Sequence, residues 1–370
     1  MITMGRFPTR WGGIEKLVQA LCPLLAARDV DLTVVSRPNP KYAPVADGAM
    51  VIHAPPARGK ASTAVAYTRT VLRVAADLKP QVIHAQSLLS PTTAAVLAGR
   101  RHGAPVVATV HGGGPGGEID RLRRLRRGGP ARAAFIRRGV DRFVVISDEI
   151  DGELEAIGVR AEARVVIPNG VDTRRFAPPE PEARATVRTS LGVGGAPTVA
   201  YVGRVVPGKG VDTLLEAFHD VRHRVPAARL VVVGDGASRA ALESGAGDGV
   251  AFIGGVDDVP AYLGAADVFV LPSLAEGLPL SLLEAMACGR AVVSTDVGAA
   301  RQVVGEAGLI VAPGDPAPLS TALAELLEDA DRRARLGSLA RERIVERYDL
   351  AHTANRLASL YHEAAGRASH

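Results

Sequence analysis

Short runs of β-branched and aliphatic residues alternate along the chain with longer stretches whose apolar positions recur at helical spacing. That alternation predicts parallel strands joined by crossover helices. In the first half the strands are expected at residues 2–4, 32–35, 82–84, 106–110, 143–146 and 165–167. In the second half they are expected at 199–202, 230–233, 250–253, 268–271, 291–294 and 309–311. Several are near-continuous Val, Ile and Leu, as strands covered on both faces require. The pattern is therefore α/β, six strands twice, or two doubly wound sheets. Between them Ile167-Pro168-Asn169-Gly170-Val171-Asp172 ends a strand in a turn signal. The stretch Phe176-Ala177-Pro178-Pro179-Glu180-Pro181 then disfavours both helix and sheet. The expected domains are residues 1–172 and 173–347.

Composition narrows the class. A chain of 370 residues is too long for one ordinary core and suits two domains. A hydrophobic share of 47% with 22% charged residues is globular, neither disordered nor fibrous. No stretch reaches the roughly 20 apolar residues of a membrane span. The first 13 residues hold no apolar core followed by a small-residue cleavage site, so no secretory signal is expected. Cys22 and Cys288 are too few for a disulfide framework or a zinc site and point to a reducing compartment. A soluble, cytoplasmic protein is expected.

The net charge of +5 is uneven: from Glu118 to Arg138 eight arginines and two acids give +6, leaving −1 elsewhere. Ile119, Leu122 and Leu125 fall at helical spacing there. Residues 121–138, from Arg121 to Arg138, therefore read in one of two ways. One is a basic amphipathic helix on anionic lipid at the inner membrane face; the other is a solvated face or a cover for an anionic soluble acceptor. No aromatic residue interleaves the arginines of 121–127, which argues against nucleic acid.

Ligands of open α/β sheets bind beyond the carboxyl ends of the strands, so the chemistry is expected in the loops that follow them. Two such domains facing one another would form a cleft, a common place for a ligand. After the strand at 268–271 comes Glu276-Gly277-Leu278-Pro279-Leu280-Ser281-Leu282-Leu283-Glu284. Pro279 suits the first helical position and Gly289 the far end. The open N–H groups near Leu280 and Ser281, with the positive end of the helix dipole, form an anion site suited to a diphosphate. Glu284, one turn after Leu280, is placed to reach a ribose hydroxyl, and Glu276 to accept from sugar hydroxyls. Both also suit the bland role of acids near a helix start.

Gly203-Arg204-Val205-Val206-Pro207-Gly208-Lys209-Gly210 follows the first strand of the second domain, where two cations can grip one diphosphate. Lys209 is one of five lysines against 39 arginines. A compact ammonium suits a crowded phosphate better than a guanidinium fork. The loop lacks the spacing of a P-loop and its Ser/Thr after lysine. In the first domain Trp11-Gly12-Gly13 lets backbone approach a ligand closely, and His111 opens the glycine-rich run Gly112-Gly113-Gly114.

Together these residues resemble the GT-B retaining glycosyltransferases of glycosyltransferase family 4 (glycosyltransferase group 1). The resemblance covers nearly the whole chain. It runs through Gly12-Gly13, His111-Gly112, Ser147, Pro168-Asn169-Gly170-Val171-Asp172, Gly203-Arg204, Lys209-Gly210, Gly234-Asp235-Gly236 and Ala266-Asp267-Val268. Its most specific mark is the pair Glu276 and Glu284. It implies two Rossmann-like domains facing across a cleft, with a final helix at about 348–366 packing back on the first. It also implies site roles: Arg204 and Lys209 on the diphosphate, Glu276 on the donor sugar, Glu284 on the ribose. His111 would lie near the sugar 6-position, and Gly13 by the phosphates. Gln86, Gln302 and Leu350 depart from the family pattern, at positions that concern the acceptor side and packing.

The implied reaction moves a hexose from a nucleoside-diphosphate sugar, UDP or GDP, to an acceptor hydroxyl. The acceptor class is open: lipid-linked, polysaccharide or small molecule. Arg204, Lys209 and the helix start would stabilise the leaving diphosphate, making a metal unnecessary and calling for no cofactor beyond the donor. Asp29-Val30-Asp31 sits at the wrong end of a strand for a metal site. No second carboxylate is placed as a nucleophile, so retention is expected through front-face attack, as the resemblance implies. The competing readings are a nucleotide-sugar 2-epimerase of the same fold and a non-catalytic nucleotide-sugar binder.

Overall fold

A computed structural model describes residues 1–7, 13–39, 46–124 and 128–368. The chain forms two compact units, one of Met1–Asn169 with Leu350–His370, the other of Gly170–Asp349.

The first unit is built on a seven-stranded parallel sheet. Its strands are β1 (Ile2–Arg6), β2 (Thr33–Arg37), β3 (Met50–His53), β4 (Ile83–Ala85), β5 (Val106–Val110), β6 (Arg142–Val145) and β7 (Arg164–Val166). Their order is β3-β2-β1-β4-β5-β6-β7, reversing between β1 and β4. The interior strand β5, Val-Val-Ala-Thr-Val, is buried along its whole length, which explains its largely apolar character. Strand β3 is the one the periodicity misses. It is an edge strand of four residues, and none of them is fully buried, so the apolar signal is short and weak.

The final helix, Leu350–Ala368, belongs to this unit. It buries Leu350, Ala354, Leu357, Ala358, Leu360, Tyr361 and Ala364, an apolar stripe at the 3- and 4-residue spacing of one helix face.

The second unit carries a six-stranded parallel sheet: β8 (Thr198–Val202), β9 (Arg229–Val233), β10 (Val250–Gly254), β11 (Val268–Leu271), β12 (Ala291–Thr295) and β13 (Gly308–Val311). The order β10-β9-β8-β11-β12-β13 reverses between β8 and β11. The helix Val211–Arg224 turns Val211, Leu214, Ala217, Phe218 and Val221 onto the sheet. There they join Val199, Tyr201, Leu230, Val232, Val268, Val270 and Val293 in one core with Leu319 and Leu323 of the helix Pro316–Glu328. Each such side chain contributes roughly 1.5–3 kcal/mol relative to exposure. At the amino end of this sheet Asp267 receives Arg184 at 2.6 Å, Arg188 at 3.3 Å and the amide of Thr198 at 2.8 Å. That cluster fixes the helix Pro181–Ser190 against the starts of β8 and β11.

The arginine-rich segment does not form one long helix. Its described residues make two short ones, Glu118–Arg123 and Gly129–Gly139. Ile119 and Leu122 are buried in the unit's interior, so these two apolar positions face the core and are not available to lie on lipid, one of the two readings of this segment. Arg121, Arg123, Arg124, Arg137 and Arg138 remain exposed; Leu125, Arg126 and Arg127 lie outside the described residues.

Candidate active site

The switch point of the second sheet brings the two strongest sequence features together. Because β8 and β11 are neighbours, the loop after β8 and the loop after β11 leave the sheet side by side, where open α/β sheets bind ligands. Lys209 Nζ lies 2.6 Å from Glu276 Oε1, and the Ser273 hydroxyl donates to the same oxygen at 2.7 Å. Both charged side chains are largely covered, at 21% and 13% exposure, so this pair is far less screened than a surface ion pair. Arg204, from the first of these loops, is exposed, and among the described residues its guanidinium has no hydrogen-bond or ion-pair partner. Its carbonyl accepts from the Tyr201 hydroxyl at 2.8 Å, which pins the start of the loop.

The main chain holds these loops in place. Leu274 N donates to Gly208 O at 3.0 Å, Val205 N to Asp235 O at 3.0 Å, and Ala299 N to Gly277 O at 2.8 Å. Glycine is required where they touch. Gly210 has φ +66°, and a Cβ there would lie 1.9 Å from Pro272 O. A Cβ at Gly298, φ +53°, would meet Gly277 O at 2.3 Å and Glu276 O at 2.5 Å. Four strand-end loops are thus packed backbone to backbone around Lys209 and Glu276.

The following helix runs from Leu280 to Ala287, with Pro279 just ahead of it rather than at its first turn. The expected position is off by one residue because Pro279 takes an extended backbone, φ −74° and ψ 110°. The amides of Leu280 and Ser281 have no acceptor among the described residues, as the first turn of a helix leaves them. Glu284 is half-buried one turn further along, and Gly289 at φ +68° closes the far end. Ser273 was not singled out from the sequence. Its place directly after an apolar strand is legible, but the full burial that obliges its hydroxyl to find a partner is visible only in the structure.

In the first unit His111 follows β5. Its Nε2 lies 2.9 Å from Gln86 Oε1, beyond β4. Its amide donates to Glu118 Oε1 at 2.9 Å, and the amide of Leu88 donates to Glu118 Oε2. Further hydrogen bonds from Ser87 and Gly112 reach the same carboxyl. Burial pushes the Glu118 carboxyl up from its ordinary range, against the opposing pull of these donors. Glu118 therefore clamps the loops after β4 and β5, a role hidden in a segment where its neighbours are arginines. Burial lowers His111 to about 4 and pushes His84 well below the ordinary imidazole value, so both rings are neutral near pH 7. Gly13 is the first residue of the helix Gly13–Ala26 and is exposed. Gly12 and Trp11 lie outside the described residues. A cavity of about 490 Å³ lined by Arg100, Arg138, Arg142 and Glu363 opens at the amino ends of β5 and β6. It lies at the opposite end of β5 from His111 and is separate from the candidate site.

Known proteins share this sequence family and fold. Residues 11–175 match the model of the family described as Glycosyltransferase Family 4, and residues 196–329 that described as Glycosyl transferases group 1. The GDP-mannose-dependent α-(1-6)-phosphatidylinositol monomannoside mannosyltransferase of Mycolicibacterium smegmatis is 35% identical over 70% of this chain and 71% of its own length. The α-maltose-1-phosphate synthase of the same organism is 30% identical over 98% of both chains. The crystal structure of Anabaena Alr3699/HepE in complex with UDP superposes with a TM-score of 0.79, at 21% identity over 98% of each chain. With two Rossmann-like sheets of matching fold and a relative covering 98% of it, this chain belongs to the family 4, group 1 glycosyltransferases of GT-B fold.

Proposed function

We propose that this glycosyltransferase moves a hexose from a nucleoside-diphosphate sugar to an acceptor hydroxyl, with retention at the anomeric carbon and without a metal ion. The observation that carries the reading is the Lys209–Glu276 pair at the β8/β11 switch point, beside the unpaired Arg204. In the resting chain Glu276, itself held by the Ser273 hydroxyl, holds the ammonium where the diphosphate is to arrive. When the donor binds, Lys209 and Arg204 receive the diphosphate, and the amides of Leu280 and Ser281 add the positive end of a helix. Glu276 then turns its acceptor oxygens to sugar hydroxyls, Glu284 takes the ribose, and His111 contacts the sugar.

The bond from the anomeric carbon to the diphosphate breaks as the acceptor oxygen bonds on the same face. The acceptor's proton passes to the departing diphosphate. Negative charge grows on the leaving group, and preorganised cations and amides stabilise that charge without a bound metal.

The mannosyltransferase relative makes GDP-mannose the first donor to test and an inositol phospholipid glycoside the first acceptor. Such an acceptor sits in an anionic lipid surface, which the exposed arginines of residues 121–138 would approach from the cytoplasmic side. Incubation with GDP-mannose and this acceptor, with and without EDTA, is expected to give equal yields of an α-linked product by NMR. A β-linked product would sink retention, and loss of yield in EDTA would sink metal independence. Accumulation of an isomerised donor without acceptor would favour the epimerase.

A further inference from the structure

A buried polar chain runs through the first unit into His111. The Tyr361 hydroxyl of the final helix meets His84 Nδ1 at 2.6 Å, and His84 Nε2 meets Thr109 Oγ1 at 2.7 Å. The amide nitrogen of Gln86 lies 3.4 Å from each nitrogen of the His84 ring, and its carbonyl oxygen 2.9 Å from His111 Nε2. His84 and Gln86 are almost fully buried, at 3% and 4% exposure. Buried polar atoms need partners, so the direction of each bond is constrained by the next.

Gln86 is what gives the chain a direction. Its amide has a donor end and an acceptor end, and the donor end is turned to the His84 ring. That leaves a carbonyl oxygen facing His111, and a carbonyl can only accept. His111 Nε2 must therefore carry the proton, and Nδ1 holds the lone pair. Among the described residues Nδ1 has no hydrogen-bond partner, and it is not among the enclosed polar atoms that lack one. His111 is half-buried at the carboxyl end of β5, where Nδ1 remains as the ring's free acceptor.

We infer that Gln86 is a positioning residue that fixes His111 in the Nε2–H form, so that its Nδ1 accepts a hydrogen bond from a hydroxyl of the bound sugar. Tyr361 and Thr109 act one step further back by orienting the His84 ring on which the Gln86 amide rests. This rests on the proposed function for the identity of the ligand, while the proton's location is a property of the resting protein. A ring locked this way acts as a neutral acceptor from a donor hydroxyl, and its tautomer is chosen before the ligand arrives.

The test reads the tautomer directly. Two-bond ¹H–¹⁵N correlation spectra of the full chain in mildly alkaline buffer are assigned by the signal missing in His111→Gln. In the wild type His111 should show a protonated Nε2 and an unprotonated Nδ1. In Gln86→Leu, which removes the acceptor, the two tautomers should mix. Gln86→Glu offers a carboxylate oxygen in the same place and should restore the Nε2–H form. In transfer assays Gln86→Leu should raise KM for the donor about tenfold, the scale of one neutral hydrogen bond, and leave KM for the acceptor unchanged. Gln86→Glu should recover most of that loss. A wild-type His111 protonated on Nδ1, or averaging between tautomers, overturns the inference, as does a Gln86→Leu spectrum identical to wild type. If the spectra are as expected but no nucleotide sugar is turned over by the wild type, it is the proposed function that falls.

Discussion

Lys209 and Glu276 hold one another at 2.6 Å, so under the proposed function each is preorganised by the group it would leave when the donor binds. The proposed exchange is chemically even: the ammonium would trade a carboxylate for a diphosphate, and Glu276 an ammonium for sugar hydroxyls. Lys209→Ala removes the cation at the leaving group and should lower kcat by about 10²–10³, the size seen when one such donor is lost. Steady-state kinetics with a saturating donor check this, and turnover near the wild-type rate would remove Lys209 from the mechanism. His111 gives a second test. Its folded pKa, lowered to about 4 by burial, lies below the unfolded value of 6.5, so between those limits the unfolded chain binds more protons. Its contribution to stability is complete above about pH 6.5 and falls away as the pH drops toward 4. Urea unfolding across that window should show His111→Gln losing less stability on acidification than the wild type, by on the order of 3 kcal/mol. His84 titrates in the same direction and leaves part of the slope in the variant. Equal slopes would mean that His111 is not held neutral. Arg204, Lys209, Glu276 and His111 could be picked out from sequence because each stands where an apolar strand has just ended. Ser273 and Glu118 could not be, because their partners lie 3 and 30 positions away and leave no local period; Gln86 stands out only as a departure from the family pattern, its partner His111 being 25 positions away.

The loops do the positioning, and they do it through glycine. Gly210 and Gly208 sit two residues apart with positive φ, +66° and +86°. Their surroundings differ: a Cβ on Gly210 would lie 1.9 Å from Pro272 O, while one on Gly208 meets nothing within 4 Å. Gly208→Ala should therefore show backbone strain alone, about 1 kcal/mol. Gly210→Ala must also push the β8 and β11 loops apart and should lose at least about 2 kcal/mol together with most donor affinity. Urea unfolding and nucleotide binding on the two variants check this, and equal losses would mean that the loop contact contributes nothing. Elements buried on both faces, such as β5 and β11, announce themselves as runs dominated by apolar residues, Val-Val-Ala-Thr-Val and Val-Phe-Val-Leu. The edge strand β3 lies outside that rule, because a half-covered strand of four residues has too little apolar signal. The arginine-rich segment misleads for the opposite reason. Its leucines have helical spacing, but spacing cannot say whether a face meets lipid or the protein's own core, and Ile119 and Leu122 meet the core.

At the scale of the whole molecule, two repetitions of strand and helix are enough to reveal two units, because each period is local and survives without knowledge of partners. What periodicity cannot reveal is which distant segment closes a unit. The final helix returns to the first unit, 180 residues of intervening chain having formed the second. Charge is the other global property, and it is strongly localised: the segment from Glu118 to Arg138 carries +6 of a net +5. With Ile119 and Leu122 buried, the attraction to a membrane that its described residues offer is electrostatic and comes from the exposed Arg121, Arg123, Arg124, Arg137 and Arg138. An electrostatic attachment differs from an inserted helix in its response to salt, since the screening length shrinks from about 10 Å at 0.1 M to 3 Å at 1 M. Vesicles of phosphatidylcholine with added phosphatidylinositol should therefore sediment the chain at low salt and release it at high salt, and pure phosphatidylcholine should not sediment it. Each arginine near an anionic surface contributes about 1 kcal/mol, so changing Arg121, Arg123 and Arg124 to Gln should weaken the partition about a hundredfold. Binding that persists at high salt would mean that apolar groups outside this segment anchor the chain. No binding to either vesicle would assign the arginines to a soluble anionic acceptor instead.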